Sequence, residues 1–206
     1  MSTEFLGDRR KEESFFAKPN EALLRRLRKD EVARARKALS AASGITDDVV
    51  LERLIALDIG KETLPALFLV PLVAVAWADG CIDDKERSAV LSGAAELGLD
   101  DREASYQLLE RWLADRPTPE LLASWKGYID ALSVRLSQHA LERLKPELLH
   151  RARVVAEASG ARFGAGHQVT SPETAVLEEL DSHFVVGRTR QEQKASRAHE
   201  RANAAS

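Results

Sequence analysis

Residues 64–86 read LPALFLVPLVAVAWADGCIDDKE. The first 15 of them, Leu64 to Ala78, carry no charged side chain, whereas four of the last eight, Asp79, Asp83, Asp84 and Glu86, are carboxylates. An apolar run of that length is short of the roughly 20 residues that a membrane span needs. It is apolar all round, which places it at the centre of a helical bundle rather than on its surface. Pro65 suits a first helical turn, and Pro71 predicts a kink, because proline removes a backbone donor and clashes one turn back.

Working outward, regular apolar spacing is helical and β-branched residues are sparse, so no strand is expected. Thr46 is the expected N-cap of a helix running through Ile59 to a stop at Gly60. A helix over 83–97 buries Val90, Leu91, Ala94 and Leu97. Asp100 and Glu103 suggest a capping box for a helix over 101–115 with Leu108, Leu109, Trp112 and Leu113 inward. Helices are also expected over 118–136, over 139–159 with a kink or division at Pro146, and over 172–184 with Val176, Leu177, Leu180 and Phe184 on one face. Residues 4–40 are charge-dense with a short stripe, Leu23, Leu24 and Leu27, and Pro19 interrupts their first part. The expected fold is all-α: a bundle of about seven helices over 45–185, a charged helical arm over 1–44, and a disordered tail over 186–206.

The chain has 206 residues, 30 basic and 33 acidic, with 44% apolar content, enough for one real core. Its charge is uneven: 11 Lys/Arg against 7 Asp/Glu in residues 1–40, 5 against 2 in 186–206, and 14 against 24 between. A net charge of −3 provides no general field for nucleic acid, and none is expected as a partner. The single cysteine, Cys81, excludes an intrachain disulfide and a multi-Cys zinc site. No basic leader precedes an apolar run at the N-terminus, so the expected location is cytoplasmic. Hydrolase and phosphate-loop signatures are missing, the five histidines lack metal-ligand spacing, and the expected protein is not an enzyme.

The two halves echo each other. Val75-Ala76-Trp77-Ala78-Asp79-Gly80, Ile82-Asp83-Asp84-Lys85-Glu86 and Val90-Leu91 align with Val154-Val155-Ala156-Glu157-Ala158-Ser159-Gly160, Val169-Thr170-Ser171-Pro172-Glu173 and Val176-Leu177. Each is an apolar helix, a small-polar-glycine stop, a β-branched residue and a helix with an early glutamate, so an internal pseudo-repeat is expected. Ser159, Thr170 and Ser171 stand where Asp79, Asp83 and Asp84 stood, which confines any acidic cation site to the first half.

The acidic turn has two readings. Hard cations such as Ca²⁺ or Mg²⁺ need several oxygens converging from a tight loop, and Asp83 and Glu86 leave the same helical turn. The pattern Asp-Gly-x-Ile-x-x-x-Glu matches the back half of an EF-hand loop, but Val75 and Trp77 occupy the earlier ligand slots and cannot coordinate. Alternatively, Asp83 with Glu86 is a capping box, Asp84 complements the helix dipole and Gly80 is a helix stop. Asp79 is left over, and a bridge to Arg87 would absorb it.

The segment Pro71 to Asp100 resembles the TerB-like tellurite-resistance family, whose helical fold also occurs in the N-terminal region of DjlA-type co-chaperones. The resemblance rests on Ala78-Asp79-Gly80, Ile82, Asp83 and Glu86 after an apolar helix. It implies a bundle of about seven helices and a divalent cation held by Asp79, Asp83 and Glu86 with Asp84 as a helper. It also implies a role in a stress- or metal-responsive protein assembly at the inner membrane face. A protein partner and a homodimer through the N-terminal arm are the associations expected. A metal-free helical adaptor is the other function consistent with these residues.

Overall fold

A computed structural model describes residues 5–159 and 169–184, with side chains from residue 23 onward except that of Ser159. The expected tail over 186–206 and His167 lie outside the described residues. All regular structure among the described residues is helical: α1 (Phe5–Ser43), α2 (Asp48–Ala56), a 3₁₀ segment (Leu64–Leu69), α3 (Val70–Ala76), α4 (Asp84–Glu96), α5 (Ala104–Ala114), α6 (Pro119–Ser133), α7 (Gln138–Ser159) and α8 over 171–184. The seven α-helices after α1 make the expected all-α bundle. No described helix is long and apolar enough to cross a membrane.

The apolar run forms the centre, but as two pieces rather than one kinked helix. Residues 64–69 wind as 3₁₀, and Pro71 falls in the first turn of α3. There its missing N–H costs nothing, because first-turn donors lack an intrahelical acceptor anyway. Six of the seven residues of α3 are buried, and the helix packs against α4, α6 and α7. The α3–α4 approach depends on Gly93, where an added Cβ would stand 2.8 Å from Leu72 Cδ2. Arg151 of α7 ties α4 from the other side, donating to Gly93 O at 3.3 Å and pairing with Glu96 at 2.7 Å.

Several expected boundaries shift for local reasons. Asp47, not Thr46, caps α2, accepting the N–H groups of Val49 at 3.0 Å and Val50 at 3.1 Å. Asp100 closes a turn onto the Arg102 N–H instead of capping a helix, and α5 begins after Glu103, which makes no side-chain cap. Leu97 is largely exposed and Leu91 only half-buried, so the inner face of α4 is narrower than its periodicity suggests. Pro146 sits inside an unbroken α7, and Pro19 inside an unbroken α1.

α1 is one helix of 39 residues, about 58 Å long at 1.5 Å per residue. Among its described side chains, those near the C-terminal end join the body, and the helix packs on α2. Leu39 is fully buried in the core, Ser40 Oγ donates to Ile45 O at 2.6 Å, and Arg36 reaches Asp48 and Glu52 at 3.4 Å. Gly44, at φ 72°, turns the chain off the helix. Residues 23–34 are exposed throughout.

Candidate functional site at two matched acidic corners

The turn between α3 and α4 starts at Trp77, whose indole Nε1–H donates to Trp112 O at 2.8 Å. Gly80 takes φ 98°, a conformation that side chains disfavour, and reverses the chain. Asp79 Oδ1 then accepts the Cys81 N–H at 3.1 Å. That local turn, rather than a bridge to Arg87, accounts for Asp79. Cys81 is exposed.

Asp83 is the N-cap of α4. Its Oδ1 accepts the N–H groups of Lys85 and Glu86, each at 2.8 Å, and Glu86 Oε2 accepts the Asp83 N–H at 2.7 Å. This is a complete capping box, so three N–H groups at the start of the helix, those of Asp83, Lys85 and Glu86, are satisfied. Asp84 lies in the first turn, where its charge suits the positive helix end.

The four sequence-predicted residues therefore divide. Asp79 and Asp84 are exposed, Asp83 is half-buried, and Glu86 is buried at 2% exposure. Calcium takes six to eight oxygens converging on one point. Here the carboxylates of Asp79, Asp83 and Glu86 are turned onto nearby backbone N–H groups. Among the described residues no group of three or more His, Cys, Asp or Glu side chains is placed to hold a metal ion. As folded, the corner fits a helix cap and not a closed cation cage.

The pseudo-repeat supplies a counterpart. At the start of α8, Glu173 Oε2 accepts the Thr170 N–H at 2.6 Å, and the Glu173 N–H donates to Thr170 Oγ1 at 3.4 Å. Glu173 is 1% exposed. Thr170 thus replaces Asp83 as the capping side chain, while the glutamate three residues on is retained and buried in both halves. The charge of the second corner also acts on Glu86. Glu86 is raised from 4.5 to about 7, chiefly by burial, and further by the charges of Asp83, Asp79 and Glu173; the Asp83 N–H opposes the shift. Near neutrality Glu86 can exchange a proton, because burial favours its neutral form.

Glu173 is the residue that reading the chain for a cation site passed over. Its signal was the glutamate at the third helical position of the second repeat. His183, one of the five histidines without metal-ligand spacing, is partly buried beside Trp125, with Nε2 3.2 Å from both Lys126 O and an Asp130 carboxylate oxygen.

Compared with protein-family models, curated proteins and solved structures, the chain matches none.

Proposed function

We propose that this chain is a non-enzymatic helical adaptor that acts through protein–protein contacts. The setting is a stress- or metal-responsive assembly of the kind the TerB-like resemblance implies. The observation that supports this reading is the exposure of residues 23–34 of α1. Leu23, Leu24 and Leu27 are 54%, 45% and 51% exposed there, on a helix whose Leu39 is seated in the core. Exposing three leucines on one stretch of helix has no benefit for an isolated chain, whereas apolar positions at i, i+1 and i+4 suit docking against a partner helix. A second copy of the chain is one such partner. Arg26, Arg28 and Lys29 flank the stripe and favour an acidic surface opposite it.

Replacing Leu23, Leu24 and Leu27 together by serine tests the reading. The variant should keep the melting temperature of the parent, since these side chains lie outside the core. The tagged parent should form a high-mass species in cell extract, and the variant should lose it. An unchanged elution profile would remove the arm from the account.

One observation favours a second reading, weak divalent-cation binding. Two buried carboxyls, Glu86 and Glu173, lie within electrostatic range of each other. A cation would draw on this inner pair, with Asp79, Asp83 and Asp84 remaining caps and turns. Calorimetric titration with Ca²⁺, Mg²⁺ and Mn²⁺ separates the cases. Heat abolished by Glu86→Gln/Glu173→Gln but retained in Asp79→Asn supports an inner site; absence of heat with every ion leaves the corner as a cap.

A further inference from the structure

A groove of about 370 Å³ opens between α3, the α5–α6 connection and α8. Its walls include Val73 and Trp77 of α3, Pro117 and Leu121 beside and on α6, and Val176 of α8. The size and the mainly apolar lining are those of small-ligand sites, in which a few polar groups fix orientation. Trp77 offers only ring carbon here, because its N–H is spent on Trp112 O. The sole charged residue in the lining is Arg116. Its Nη1 lies 3.8 Å from the position a Gly80 Cβ would take, so it overhangs the turn that ends the apolar run. Among the described residues, Arg116 has no ion-pair partner, although the body around it carries 24 acidic side chains against 14 basic ones over residues 41–185.

We propose that this groove binds a medium-chain fatty carboxylate. The alkyl chain lies along Val73, Trp77 and Leu121, and the carboxylate takes the Arg116 guanidinium. A guanidinium pairs with a planar carboxylate through two parallel N–H donors, and so selects a carboxylate over an uncharged head. The site is independent of the adaptor reading; it adjoins the first acidic corner through Trp77 and the Gly80 turn but uses none of that corner's carboxylates.

The experiment titrates the full chain with decanoate and with decanol, below their aggregation limits, by calorimetry and by the fluorescence of Trp77 against a Trp77→Phe control. Saturable binding of decanoate at one site is expected, with decanol at least about tenfold weaker, the worth of a charged hydrogen-bonded partner. Arg116→Gln, at an exposed position that leaves the core intact, should bring the acid down to the level of the alcohol. Ala74→Phe, which fills the groove, should abolish both. No saturable binding, equal affinity for acid and alcohol in the parent, or decanoate affinity indifferent to Arg116→Gln would each overturn the proposal.

Discussion

Glu86 and Glu173 do the same work in the two halves of the bundle. Each is buried and accepts the backbone N–H of the residue three positions before it, Asp83 at 2.7 Å and Thr170 at 2.6 Å. At Glu86 the cap is built on a carboxyl whose burial favours the neutral form, and this conflict makes stability depend on pH. Glu86 stands at about 7 in the folded chain against 4.5 when unfolded, so the folded state holds the proton more tightly. Its stabilising share is complete below pH 4.5 and is lost as pH rises through 7. The loss should amount to about 1–3 kcal/mol. Glu86→Gln keeps an acceptor for the Asp83 N–H and cannot ionise. Urea midpoints across this range should fall with pH for the parent and stay level for the variant. Parallel curves for the two proteins would show that Glu86 is not the group responsible.

The Asp83 carboxylate is the other half of the same cap. Asp83→Ala should lower stability by about 1 kcal/mol, and Asp83→Asn should recover most of that, since asparagine caps nearly as well. Chemical denaturation without added metal measures both. Were Asp83 held in place for a cation instead, alanine would cost nothing in metal-free buffer.

Close helix approach at Gly93 predicts a steric defect. Gly93→Val drives a branched side chain into Leu72, whose surroundings are fully packed, and should cost about 1–3 kcal/mol despite the better helix propensity of valine. Adding Leu72→Ala should recover part of the loss. A thermal melt of the single variant that matched the parent would mean that α3 and α4 are not packed as described.

The junction between arm and body lies inside α1. Leu39 is fully buried, so Leu39→Ala should cost about 2–5 kcal/mol. A chain starting at residue 35 keeps that anchor and should melt like the parent, while one starting at residue 45 should melt lower. Equal melting of the two truncations would place Leu39 outside the core.

Much of this was readable from the residues themselves. The run from Leu64 to Ala78 had to be central, since it is apolar all round and carries no charged side chain. Asp83 and Glu86 announced a capping box by spacing alone, and the parallel with Val169 to Glu173 pointed to a repeat. Three things were not readable. Spacing specifies that a carboxylate reaches its own helix's N-terminus, but not that the same carboxyl is then sealed inside, which depends on how α3, α4 and α7 pack. The proximity of Glu86 to Glu173 joins positions 87 apart in sequence and is a property of the fold alone. Pro71 was expected to bend a helix, but the chain switched from 3₁₀ to α beside it, so that the missing donor fell where none was needed.

The adaptor reading meets its most direct test at Leu27. A photo-crosslinking amino acid placed there in the full chain, with the same probe at Val134 on the body as a control, reports what lies against the arm in living cells. Both positions are exposed, at 51% and 60%. The account predicts one discrete crosslinked product of fixed mass from position 27, absent from position 134 and abolished by Leu23→Ser/Leu24→Ser. No product from position 27, or the same smear from both positions, would contradict it.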